Sequence, residues 1–274
     1  GAGLVGVALA ISGVVLQALL RNPMADPYII GISAGASFGA TIAMVFGVGA
    51  SLFGILYAIP ILAFIGALCT VFLVYSISKH GDVVSMLTLL LIGVALTSFF
   101  SAIVSLIRLL NSETAPMIVF WLLGSLSMTS WNYVYMVLPF VLVGLGIILY
   151  FARDLNVMSL GEDSAQHLGI DIETLKKILL VCVSLVTAAA VAISGIIGFI
   201  GLIIPHMMRL LVGSDHRILI PASALTGAIV LIVCDTLART IMSPSELPVG
   251  VITAILGSPF FIYLLRAKKK SFYT

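Results

Sequence analysis

Val84 to Leu110 reads VSMLTLLLIGVALTSFFSAIVSLIRLL, and between Asp82 and Arg108 the chain carries no charged side chain. An α-helix rises about 1.5 Å per residue and a bilayer core is about 30 Å thick, so this run is long and apolar enough to cross it. Backbone groups in hydrocarbon must be satisfied within the segment, which makes the crossing helical. The rest of the chain repeats the pattern. Similar runs lie at roughly 1–20, 28–48, 52–77, 132–152, 175–194, 196–212, 218–241 and 248–266, punctuated by Gly, Pro and charged residues. With 84–110 they predict about nine transmembrane helices, an all-α polytopic membrane protein folded as a single transmembrane domain over residues 1–274.

Composition agrees. Hydrophobic residues make up 61% of the 274 positions and charged residues 9%, with a mean hydropathy of +1.27. A soluble domain would carry roughly a quarter charged residues. The surplus apolar surface therefore faces lipid. A net charge of +2 says little by itself, but the basic residues are not gathered into a patch, so no nucleic-acid partner is expected. Cys69, Cys182 and Cys234 stand singly in apolar runs, without metal-ligand spacing or a disulfide pattern.

Lys and Arg collect in cytoplasmic loops. Placing Arg266, Lys268, Lys269 and Lys270 inside and counting back puts Arg209, Arg217, Lys176, Lys177, Arg153, Lys79 and Arg21 on the same side. Arg108 and Arg239 are left outside. This predicts a cytoplasmic C-terminus and, with an odd number of spans, an outer Gly1. The chain opens in mid-span, so one further helix upstream is expected, giving ten in the full protein.

Gly31, Gly35, Gly39, Ala43 and Gly47 recur every fourth residue. Such a stripe suits close helix packing or the wall of a passage, with Gly31, Ser33, Gly35 and Gly39 as its candidate residues. Gly31-Ile32-Ser33-Ala34-Gly35 also fits the G-x-S-x-G of hydrolases, but that motif needs a strand–turn–helix setting, and here it opens a membrane helix. H-E-x-x-H and the nucleotide-binding P-loop are both missing from the sequence, so ATP-driven work would need another polypeptide.

Asp235 and Arg239 lie four apart on one helix face and can pair. Asp235 is the sole acidic residue deep in a span, whereas a proton relay wants several titratable groups in series. The longest inner connection, about 154–174, holds a candidate short helix. Either Ser159 with Glu162, or Glu162 and Asp163 in a first turn, would start it, and Gly169 would end it. Ala165 and Leu168 give it an apolar edge, suited to resting on the membrane surface or to docking in a partner's groove, the second being the expectation. On the outer side, Pro116 to Gly124 reads as a Pro-started, Gly-ended helix too short to span. Trp121 and Trp131 suit the membrane interface.

Three blocks resemble the FecCD-type permeases, which import iron–siderophores, haem and cobalamin. They are Asn22-Pro23-Met24-Ala25-Asp26-Pro27 with Gly31-Ile32-Ser33-Ala34-Gly35-Ala36; Gly198-Phe199-Ile200-Gly201 through Pro205-His206, with Arg209 and Asp215-His216-Arg217; and Glu246-Leu247-Pro248-Val249-Gly250 through Gly257-Ser258-Pro259-Phe260-Phe261. The resemblance implies the permease subunit of a type II ABC importer in the inner membrane, without enzymatic chemistry or cofactor. Its partners would be a second copy of the permease, two ATP-binding cassette ATPases and a periplasmic or lipid-anchored substrate-binding protein. Gly161, Glu162, Ser164, Ala165, Leu168 and Gly169 match the family's coupling helices, and Arg239 would dock the binding protein. A ferric siderophore is the expected cargo. The other readings are an ion-coupled secondary transporter, which would be expected to show inverted repeats, and an intramembrane hydrolase.

Overall fold

The computed structural model describes residues 1–50, 54–80, 83–127 and 129–271. Among them lie twelve α-helices: α1 (Ala2–Leu19), α2 (Ile32–Phe46), α3 (Ile55–Ser78), α4 (Met86–Leu110), α5 (Ala115–Leu122), α6 (Trp131–Tyr150), α7 (Ala152–Met158), α8 (Glu162–His167), α9 (Ile172–Ser194), α10 (Ile200–Val212), α11 (His216–Thr240) and α12 (Val249–Ser271). A 3-10 turn, Pro27–Ile30, precedes α2. Between α3 and α4 stand two short antiparallel strands, β1 (Lys79–His80) and β2 (Val83–Val84), with Lys79 opposite Val84.

Nine apolar runs become six helices long and apolar enough to cross a membrane, α1, α3, α4, α6, α9 and α11, and three shorter apolar ones among the described residues. The shorter ones are α2, α10 and the Val249–Ile262 part of α12. Two runs begin later than their hydropathy suggests. At 28–48, Asp26 Oδ1 accepts from Tyr28 N and Pro27 fixes a 3-10 turn, so α2 starts only after Gly31 at φ 84. At 196–212, residues 195–199 are unwound, with Phe199 at φ 71, and α10 starts at Ile200. Hydropathy does not see the second break, because residues 195–199 are all apolar or glycine, and it does not weigh the Asp26–Pro27 start signal at the first. The short helix α7 and the strand pair were not expected. The side chains of Arg266, Lys268, Lys269 and Lys270, on which the expected C-terminal orientation rests, lie outside the described residues.

Helices α1 and α9 form the centre, each with 72% of its apolar window buried, whereas α4 has 11% and turns most of its surface outward. Helix α1 packs against α9, α10 and α11, and α2 packs against α3 and α4. Lipid tails are as apolar as leucine, so these contacts depend on fit rather than on hydrophobic expulsion. Gly35 and Gly39 show the fit. A Cβ at Gly35 would overlap Thr70 and the Gly66 carbonyl, and one at Gly39 would overlap the Leu62 carbonyl. The α2–α3 contact therefore exists only with glycine at those two places.

The unwound 195–199 segment lies among protein rather than lipid, and both backbone groups of Ile197 at its centre have partners. Tyr28 Oη donates to the Ile197 carbonyl at 3.0 Å and accepts from Ile197 N at 3.2 Å. Ser125 N donates to the Ser194 carbonyl at 2.8 Å. Close by, Gln17, almost fully buried, donates to the Leu202 carbonyl at 3.0 Å and accepts from Arg209 Nη1 at 3.1 Å.

Candidate functional site

The connection from α6 to α9 folds into two short helices: α7, which buries Ala152, Leu155 and Met158 against the bundle, and the more polar α8. Gly161 caps α8 at φ 133, a backbone region that favours glycine. Glu162 and Asp163 fill the first turn and His167 the last, each complementing the helix dipole. Ser159 takes no part in this start; its hydroxyl donates to the Asn156 carbonyl at 2.6 Å. Of the two starts the sequence allows, the acidic first turn is the one used. The end is closed by Leu168 N on the Ser164 carbonyl at 3.2 Å and by Gly169 at φ 85. Ala165 is fully buried beneath α8, while Leu160 and Leu168 flank it at 74% and 68% exposure. Two exposed leucines beside a short polar helix form a surface that a partner's groove would cover.

Charge fixes α8 to the rest of the molecule. Lys176 Nζ, on the first turns of α9, lies 2.8 Å from Glu162 Oε2 and 3.2 Å from Glu173 Oε1, and its side chain is 5% exposed. The second oxygen of Glu173 accepts from Val84 N of β2 at 3.1 Å. Arg21, following α1, approaches Glu162 Oε1 to 4.0 Å and donates to the Met158 carbonyl at 3.5 Å. Helix α7 is clipped to the start of α11, where Asn156 Nδ2 donates to Asp215 Oδ1 at 2.6 Å and Asn156 Oδ1 accepts from His216 N at 2.8 Å. The Arg217 N–H and the Asn156 amide hold the Asp215 carboxyl below the usual carboxylate range. One end of the molecule thus gathers Arg21, β2, α7, α8 and the starts of α9 and α11.

The far end of α11 carries Arg239. Its Nε lies 2.9 Å from Asp235 Oδ2, its Nη2 donates to the Leu126 carbonyl at 2.9 Å, and its Nη1 lies 3.7 Å from Glu246 Oε1. At 39% side-chain exposure it remains accessible from outside the fold. The outer helix expected at Pro116–Gly124 is α5, with Pro116 in its first turn. Beside it opens a cleft lined by Met44, Ile59, Trp121, Ser125, Ser127, Tyr133 and Ser194. Ser33, half-buried, sits in the first turn of α2.

The structure therefore brings Gly161, Glu162, Ser164, Leu168 and Gly169 into one surface, turns Ala165 inward to seat α8 instead of offering it as the apolar edge expected from the sequence, and sets Arg239 and the α2 glycines elsewhere. Lys176, Glu173, Arg21 and Asn156 were missed by the sequence reading as members of the α8 surface. The i,i+3 spacing of Glu173 and Lys176 was a visible signal. The pairing of Glu162 with Lys176, fourteen positions away, was not.

Residues 1–267 match the model of the FecCD transport family. The chain belongs to that family. It is 47% identical over 96% of its length to the uncharacterized ABC transporter permease protein YvrB of Bacillus subtilis, covering 75% of that protein. It is 45% identical over 97% of its length to the cobalamin import system permease protein BtuC of Halobacterium salinarum, covering 70% of it. A solved protein assigned as a metal-chelate type ABC transporter, in an inward-facing conformation, superposes with a TM-score of 0.89 at 38% identity, over 97% of this chain and 83% of that one. This FecCD-family chain is a multi-pass membrane permease of an ABC importer, not an enzyme, and ATP hydrolysis belongs to a separate ATPase subunit.

Proposed function

We propose that the chain, paired with a second copy, forms the translocation path of an importer for iron–siderophore-like metal chelates, driven by two ATPase subunits and fed by a binding protein. The observation that carries this reading is α8, a short helix outside the apolar bundle with a buried Ala165 and exposed Leu160 and Leu168. An ATPase groove is the occupant such a surface suits. Nine crossings, the shorter α2, α10 and α12 among them, and a cytoplasmic C-terminus complete the arrangement within one permease domain.

The second copy is supported by α4. This helix is scarcely buried, yet it exposes Ser98, Ser101 and Ser105 on one face, which suits a passage between subunits better than lipid. The cleft beside α5 presents aromatic, thioether and hydroxyl groups, a lining that fits an organic ligand wrapped around a metal. Relatives are named as permeases for cobalamin, hemin and iron(3+)-hydroxamate, which fits the same class of cargo. Arg239 would meet acidic residues of the binding protein by exchanging Glu246 for them.

The test is uptake in proteoliposomes containing the permease, its ATPase and its binding protein, with iron(3+)-hydroxamate, hemin and cobalamin as probes. ATP-dependent uptake of the iron(3+)-hydroxamate is expected. Uptake of cobalamin alone would replace the cargo, and uptake driven by an ion gradient without ATP would overturn the importer reading.

A further inference from the structure

We propose that Lys176 is a positioning residue that pins α8 to α9 and, through Glu173, to the β1–β2 pair, so that displacement of α8 by a partner carries the α3–α4 connection with it. This rests on the reading of α8 as the coupling surface. Lys176 joins Glu162 of α8 to Glu173 of its own helix α9, and the second oxygen of Glu173 carries the link on to Val84 N of β2.

The chemistry favours a lysine there. A buried ammonium is tolerated only when its donors are matched, and removing one partner of such a cluster leaves an uncompensated charge. Lysine is a compact cation with three rotatable donors, so it can take carboxylates from two helices at different angles. Glu173 divides its two oxygens between Lys176 and the Val84 backbone, which fixes the strand pair against α9 whatever side chains the strands carry.

The surrounding contacts make the pin effective. Gly161 and Gly169 both take positive φ, so the chain turns at each end of α8, and the contacts of Glu162 add a side-chain tie to the backbone hydrogen bonds that close those turns. Ala165 seats α8 without locking its direction, whereas Arg21 holds the other oxygen of Glu162 only at 4.0 Å. Helix α7 is fastened separately, by Asn156 to Asp215 and His216 on α11, and supplies a fixed point about which α8 would move. Without Lys176, α8 would keep its fold and its partner surface but lose the contact that hands its motion to α9 and β2.

Spin labels at His167, on α8 and outside the partner surface of Leu160 and Leu168, and Leu87, in the first turn of α4, would report that link; both side chains are exposed. Their separation would be measured by pulsed EPR in the permease–ATPase complex, nucleotide-free and trapped with ATP and vanadate. In the wild type the separation is expected to stay the same in both states, because the two sites move as one body. Lys176→Met, made together with Glu162→Gln and Glu173→Gln so that no carboxylate is left unpaired, is expected to shift or broaden it by about 2 Å or more on trapping. Lys176→Arg alone is expected to restore the single narrow separation. The proposal is overturned if the triple variant behaves as the wild type, or if the wild-type separation itself changes on trapping. A wild-type permease that binds no ATPase and hydrolyses no ATP in its company would overturn the importer reading, and the pin with it.

Discussion

The two ends of the molecule each hold a charge cluster built around one basic residue, but they are built differently. Around Lys176, carboxylates from α8 and α9 close on an ammonium whose side chain is 5% exposed, and β2 joins through a backbone hydrogen bond. Around Arg239, at 39% exposure, the carboxylates come from four and seven positions away on the same stretch of chain, and only the Leu126 carbonyl is remote in sequence. Salt weakens exposed charge pairs more than buried ones, so the cluster around the more exposed Arg239 cation is the more salt-sensitive of the two. A buried cluster that joins distant elements transmits force, while a half-exposed one that joins near neighbours can change partners. The first suits coupling to a motor, and the second suits docking of a protein that must come and go.

The comparison breaks most readily at Gly161. At φ 133, Gly161→Val forces a β-branched residue into a strained backbone region at a cost of about 1–3 kcal/mol, and α8 must tilt or unwind to relieve it. Loss of nearly all uptake is expected, with membrane insertion and binding-protein association intact; uptake at the wild-type level would remove α8 from the coupling role. Lys176→Met, as a single change, sharpens the buried side of the contrast. It leaves two carboxylates facing one another, and with Glu162 at 42% exposure the expected destabilisation is about 1–3 kcal/mol, read by thermal unfolding in detergent.

Arg239→Glu tests the exposed side. Weaker association with the binding protein is expected, more so at low salt, with partial recovery by a Glu→Arg change on the partner. If the variant fails to insert and Asp235→Asn rescues it, Arg239 is structural instead. The smallest change is Glu246→Gln. It removes a carboxylate 3.7 Å from Arg239 at the surface, and unfolding is expected to shift by no more than about 0.5 kcal/mol.

Much of this was legible in the sequence. Uncharged runs such as Val84–Ile107 declare membrane helices, because the bilayer leaves the backbone no other choice. The glycines of α2 and the Pro116–Gly124 helix could be read from spacing and end signals. The break before α2 had a local signal in Asp26 and Pro27 that hydropathy does not weigh, whereas the one before α10 had none, since Phe199 turns the chain inside apolar sequence and the Tyr28–Ile197 link that holds it joins positions far apart. At the candidate site, the limits of α8 followed from Gly161, Glu162 and Gly169. What holds α8 did not, because a lysine read as one more inner charge shows its role only when Glu162 and Glu173 are seen on either side of it.

The central claim is that α8 conveys the work of a separate ATPase. The most direct measurement is ATP-dependent iron(3+)-hydroxamate uptake and phosphate release by the same proteoliposomes, made with wild-type permease and with Gly161→Val. Wild-type vesicles are expected to couple the two, and Gly161→Val vesicles to release phosphate with uptake reduced more than tenfold, a barrier of about 1.4 kcal/mol or more. Equal uptake per phosphate in the two preparations would contradict it.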